Sequence, residues 1–106
     1  MAERAWKRTE RAIASILGGR RVPITGRARG DAPDVAHPWL SIEVKSRRSL
    51  PAWLLNAMAQ ARAAATPHQL PIAVLHQDGD RHSSDLVLMA LRDFTRWFGD
   101  VPDSGE

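Results

Sequence analysis

The segment Leu40-Ser41-Ile42-Glu43-Val44-Lys45 carries an acid and a base two residues apart. It alternates, with Leu40, Ile42 and Val44 on one side and Ser41, Glu43 and Lys45 on the other. That pattern predicts a strand whose apolar face lies in the core. Glu43 and Lys45 then project from one face, roughly 6–7 Å apart along the chain. A turn at His37-Pro38 folds the short extended piece 34–36 back beside this strand and lets Asp34 approach Glu43. Two carboxylates held close together repel unless a partner neutralises them. A divalent cation does so, and hard oxygen ligands suit Mg²⁺, which keeps several waters and binds one or two carboxylates plus a phosphate. Mn²⁺ is the alternative ion. The Lys45 ammonium can orient or deprotonate a metal-bound water for in-line attack on phosphorus. A third acid comes from a helix over 2–17. Glu10, Ile13 and Leu17 follow i, i+3, i+7, so Glu10 lies on or beside the apolar stripe and points towards the sheet. Glu3 shares a similar azimuth but sits nearer the helix end, which makes Glu10 the preferred acid.

The elements that must position these residues are legible along the chain. Trp6, Ile13, Ile16 and Leu17 form the stripe of the first helix, and Gly18-Gly19 stop it. Residues 20–24 read as a short strand, with Pro23 at an edge or end. Residues 25–33 form a basic, glycine-containing loop. After the strand 40–45 and a basic connector, Pro51 opens a helix to about 65 with Leu54, Ala57, Met58 and Ala61 as its stripe. Residues 70–76 fit a buried strand, 77–80 a turn, 86–89 a strand and 92–98 a final helix. The order is α-β-β-β-α-β-β-α, an α/β arrangement with a mixed sheet flanked by helices. It occupies one domain over 1–98, followed by a tail over 99–106.

Composition agrees with a globular chain. The 106 residues are 43% hydrophobic and 25% charged, within the ordinary range. Cysteine is absent, which excludes disulfides, thiolate metal sites and cysteine nucleophiles. No apolar run approaches the roughly 18 residues of a membrane span. The first eight residues are charged and no apolar stretch follows, which predicts no secretory leader and a cytoplasmic protein. Fifteen basic residues against twelve acidic ones give +3, and thirteen of the fifteen are Arg. Arginine's planar fork suits phosphate oxygens, which is compatible with a nucleic-acid partner, and codon bias gives the same composition.

Taken together, these residues resemble the PD-(D/E)XK nuclease superfamily, and within it the archaeal-type Holliday-junction resolvases and their phage relatives. The likeness rests on Glu10-Arg11 in the first helix and on Arg21-Val22-Pro23-Ile24-Thr25-Gly26. It continues through Pro33-Asp34, Glu43-Val44-Lys45-Ser46 and Gln60 on the next helix. It covers roughly residues 3–75 and implies a restriction-endonuclease-like core of order αβββαβ. It also implies Mg²⁺-dependent phosphodiester hydrolysis by a homodimer. By this resemblance, Asp34, Glu43 and the Val44 carbonyl ligate the metal and Lys45 positions the water. Glu10 acts through a metal-bound water, while Arg11, Arg21, Thr25 and Gln60 support substrate phosphates or the site. The Asp34-to-Glu43 spacing is compact, and the final strand and helix match no motif of these proteins.

Plainer readings stand beside these. Glu43 and Lys45 also fit solvent-facing strand residues, Glu10 a surface pair with Lys7 or Arg11, and Gln60 an exposed helix position. Arg27 and Arg29 in the loop, and Arg47 and Arg48 after the site, read either as solvated connectors or as a phosphate clamp. His76, Asp78, Asp80, His82 and Asp85 read as a polar turn, because their spacing matches no metal loop. The four tryptophans read as core or interface packing. Surplus apolar surface on the helix 51–65, or the strand 70–76, is the expected dimer contact. The expected activity is Mg²⁺-dependent, structure-selective DNA cleavage at four-way junctions, in a bacterial host or a phage-infected cell. Three alternatives remain open: a nuclease of this fold acting on other DNA, a non-catalytic DNA-binding module, and a basic structural or assembly protein.

Overall fold

The computed structural model describes residues 5–21 and 35–99. The sequence readings at Thr25, Arg27, Arg29, Asp34 and 100–106 lie outside the described residues. The chain divides into two compact units, one up to Arg47 and the other Arg48–Gly99.

The first unit opens with helix α1 (Ala5–Leu17), whose buried residues are Glu10, Ala14 and Leu17. Trp6 and Ile13 flank that line half-buried, whereas Ile16, expected in the stripe, is 53% exposed. The period of 3.6 explains the difference. Positions 6, 10, 13, 14 and 17 share one azimuth, and 16 falls outside it. The C-terminus of α1 closes as a paired-hydrogen-bond cap, with Gly19 N–H donating to Ala14 O (2.8 Å) and Gly18 N–H to Ser15 O (3.3 Å). Gly18 takes φ +75°, a region open to glycine at no steric cost. A Cβ on Gly19 would lie 2.5 Å from the Ala36 carbonyl oxygen and 2.7 Å from Val35 Cγ1. The second glycine therefore permits close approach of helix and sheet. Strand β1 (Arg20–Arg21) pairs antiparallel with β2 (Val35–Ala36), and α1 packs on both. Val35, fully buried, is the centre of this small core.

The segment 40–45 keeps the expected alternation of exposure: Leu40, Ile42 and Val44 are half-buried, and Ser41, Glu43 and Lys45 exposed. It is not the full strand the alternation predicts. Among the described residues its pairing is a single antiparallel bridge, Val35↔Ile42. The described part of β2 is only two residues long and runs straight into the His37-Pro38 turn, so it offers no longer edge.

The second unit holds α2 (Ala52–Ala64), β3 (Ala73–Leu75), a 3₁₀ turn (His82–Ser84), β4 (Leu86–Leu88) and α3 (Leu91–Phe98). Leu54, Ala57, Met58 and Ala61 are half-buried along one face of α2 as their spacing requires, and the helix packs on β3. Pro51 stands at the N-cap and its carbonyl accepts from Leu54 and Leu55 N–H at 3.1 and 3.2 Å. β3 and β4 form an antiparallel hairpin in the register Ala73↔Leu88, Val74↔Val87, Leu75↔Leu86. Asp93 of α3 is buried and accepts a hydrogen bond from Arg62 of α2, and Arg96 donates to the Pro67 carbonyl at 3.3 Å. These contacts tie α3 to α2 and its C-terminal turn.

Two sequence expectations need correcting. The described residues form two separate two-stranded antiparallel sheets rather than one mixed sheet, because each strand pairs with its neighbour in sequence. The coarser reading holds: helices combined with small antiparallel sheet, broadly α/β. The strand 70–76 is also not buried on both faces, since Ile72 is 40% and Val74 57% exposed. α2 and the hairpin's own packing cover one face only. No helix among the described residues is long and apolar enough to cross a membrane.

Candidate functional site

Glu43 and Lys45 meet on the exposed face of the 40–45 segment. Lys45 Nζ lies 3.1 Å from Glu43 Oε2, with the side chains 66% and 53% exposed. The pair follows from extended geometry, which sends residues i and i+2 to one side. The half-buried Ile42 and Val44 hold the backbone that carries them. An exposed carboxylate beside an ammonium is reachable by both a cation and a phosphate diester.

His37 anchors the start of this segment. Its Nε2 lies 2.8 Å from the Leu17 carbonyl oxygen. Its Nδ1 lies 3.3 Å from the backbone nitrogen of Trp39 and 3.2 Å from that of Leu40. A carbonyl can only accept, and a backbone N–H can only donate. The partners therefore assign the proton to Nε2 and leave Nδ1 as acceptor. One imidazole thus satisfies a terminal carbonyl of α1 and fixes the turn that launches 40–45. The sequence reading saw His37 only as a turn residue. The proline beside it signalled the turn, but nothing local signalled the contact twenty residues away.

Glu10 is 6% exposed and lies on the packed face of α1 with Ala14 and Leu17. Its orientation is the one the i, i+3, i+7 spacing predicts. Arg11 is exposed on the same helix, and β1 places the Arg21 backbone opposite Val35. Arg47 and Arg48 are exposed after the site, and Arg47 Nη1 donates to the Ser46 carbonyl at 2.9 Å. Gln60 is exposed on α2 in the second unit. Asp34, Thr25, Arg27 and Arg29 lie outside the described residues.

The structure thus brings Glu43 and Lys45 together and buries Glu10 on the helix face. Among the described residues, the one group of three or more His or acid side chains that converges is another: His76, His82 and Asp85. The sequence reading took these as parts of a polar turn. A comparison with protein-family models, with curated proteins and with solved structures finds no match for the chain.

Proposed function

We propose that this chain is a Mg²⁺-dependent, structure-selective DNA endonuclease that cuts four-way junctions as a homodimer, built on a restriction-endonuclease-like core. The observation that carries the reading is the Glu43–Lys45 pair, exposed on a segment whose other face is apolar and half-buried. The antiparallel bridge Val35↔Ile42 adds support. Asp34 precedes Val35 by one position and Glu43 follows Ile42 by one. The bridge ties Ile42, the neighbour of Glu43, to β2, while Asp34 itself lies outside the described residues.

The donor chemistry fits the ion: the carboxylates of Asp34 and Glu43 and the Val44 carbonyl are hard oxygen ligands of the kind Mg²⁺ takes. Mn²⁺ fits the same set. When bound, the ion supplies charge neutralisation at the phosphate and lowers the cost of forming the nucleophile. Lys45 holds the attacking water by its ammonium, in line with the scissile bond. The water oxygen bonds to phosphorus as the ester bond to the leaving oxygen breaks; the water's proton passes to bulk solvent, since the Lys45 ammonium only donates, and the leaving oxygen takes a proton from solvent. Glu10 orients a water at the edge of the site. Arg11, Arg21, Thr25, Arg27, Arg29 and Arg47 hold phosphates or support the site, and Arg48 and Gln60 of the second unit hold phosphates of the same DNA, which makes affinity fall steeply with salt. Two sites related by a dimer two-fold match the two incisions a four-way junction needs.

The test incubates the chain with a labelled four-way junction, a flap, a gapped duplex and a linear duplex, in Mg²⁺ or in EDTA, beside Glu43→Ala. Paired symmetric nicks confined to the junction, lost in EDTA and in the variant, are expected. Cutting of flaps or duplex instead makes it a nuclease with another substrate. Tight junction binding without cutting makes it a DNA-binding module.

A further inference from the structure

The hairpin of the second unit carries a separate constellation. Its last ladder pair is Leu75↔Leu86, so His76 and Asp85 are the next positions across the two strands. Between them the chain turns twice. Asp80 N–H donates to the Gln77 carbonyl at 3.0 Å, with Gly79 at φ +89°. The 3₁₀ turn then closes through Ser84 N–H to Arg81 O at 2.9 Å and Asp85 N–H to His82 O at 3.0 Å. That turn brings His82 to Asp85, three residues on. His76 Nδ1 lies 2.6 Å from Asp85 Oδ1, and His82 Nδ1 3.1 Å from Asp85 Oδ2. The two imidazole rings lie 4.6 Å apart at 34°.

We propose that His76, His82 and Asp85 form a binding site for one Zn²⁺ ion. The three donor atoms lie within 4.8 Å of one another. Zinc with bonds of about 2.0–2.2 Å in tetrahedral geometry sets its ligand atoms roughly 3.3 Å apart. The observed separations, 2.6 and 3.1 Å to the Asp85 oxygens and up to 4.8 Å within the group, bracket that spacing. Two imidazole nitrogens and one carboxylate oxygen are a borderline donor set that favours zinc over Mg²⁺, which takes oxygen ligands. The fourth position stays open to water. Each imidazole meets its own oxygen of the Asp85 carboxylate.

A hydrogen-bonded clamp alone would leave His82 unexplained. Its side chain is 86% exposed, where a hydrogen bond adds little to the fold. Yet two of the chain's four histidines converge on one carboxylate. The backbone ladder and the 3₁₀ turn hold the three positions before any ion arrives, and an ion there cross-links both strand ends to the turn. The site uses nitrogen donors on the second unit and does not depend on the nuclease reading.

The experiment titrates the EDTA-treated full chain with Zn²⁺ by calorimetry, with Mg²⁺ in large excess. A parallel titration with Co²⁺ follows the visible ligand-field absorption. One ion per chain, a rise in thermal midpoint with Zn²⁺, and indifference to Mg²⁺ are expected. His82→Ala removes an exposed side chain, so the metal-free protein should melt as before while Zn²⁺ affinity falls by about tenfold or more. Asp85→Asn should weaken binding likewise. Absence of Zn²⁺ binding, or equal affinity in His82→Ala, overturns the proposal. No DNA enters the measurement, so its failure is separate from failure of junction cutting.

Discussion

The contact between Glu43 and Lys45 is a weak source of stability. Both side chains are more than half exposed, and ion pairs of this kind contribute at most about 1 kcal/mol. Its consequence is positional, because it holds an ammonium beside the carboxylate that would take the cation. Lys45→Met keeps much of the stem and removes the charge. Junction nicking should then slow by about 10²–10³-fold, the usual contribution of one preorganised donor to the transition state, while gel-shift affinity for the junction is nearly kept. Unchanged nicking would return Lys45 to the status of a surface residue. Asp93 offers the contrast at the same scale. Unlike Glu43 it is buried, and it is committed to Arg62 across two helices, which explains its burial without chemistry.

Among the elements, the junction of α1 with β2 leaves no room for an added side chain at Gly19. Gly19→Ala would drive a Cβ against the Ala36 carbonyl and Val35. Neither neighbour is the free end of a flexible side chain, and overpacking of this sort costs about 1–3 kcal/mol. Gly79→Ala meets nothing within 4 Å but keeps φ +89°, so its cost is conformational alone, about 1–2 kcal/mol. Urea denaturation of the two variants should rank Gly19→Ala at or above Gly79→Ala in lost stability. The Gly19 change should also impair junction cutting, since α1 carries Glu10 and its C-terminus holds His37. Gly79→Ala should leave cutting intact. Equal effects on cutting would mean that the α1–β2 junction does not position the site.

At the scale of the molecule, the β3–β4 hairpin leaves one apolar face open. Val74 and Val87 form a cross-strand pair and are 57% and 56% exposed, and Ile72, two residues before Val74, shares their face. Trp53 and Leu55 on α2 are also exposed, at 61% and 50%. Apolar surface of this kind, gathered on a hairpin, is costly in water and fits a dimer contact. Sedimentation should show a dimer, and the double substitution Val74→Lys, Val87→Lys should yield a monomer that no longer makes paired incisions. A variant that stays dimeric would move the contact to α2.

How much was legible depended on whether the information was local. Helix periodicity, bounded by Gly18-Gly19 and Pro51, located α1 and α2, set the stripe Leu54, Ala57, Met58 and Ala61, and turned Glu10 inward, because 3.6 residues per turn decide which side chains share a face. Alternation alone put Glu43 and Lys45 on one exposed face. Periodicity says which face a residue occupies and is silent about what lies opposite. Strand partners, the reach of His37 to the end of α1, the Arg62–Asp93 pair and the open face of β3 come from register and loop closure, so only the tertiary structure decided them. His76, His82 and Asp85 show the division most clearly. In sequence they are a polar turn; the ladder that ends at Leu75↔Leu86 and the turn at His82–Ser84 bring their donor atoms within 4.8 Å of one another.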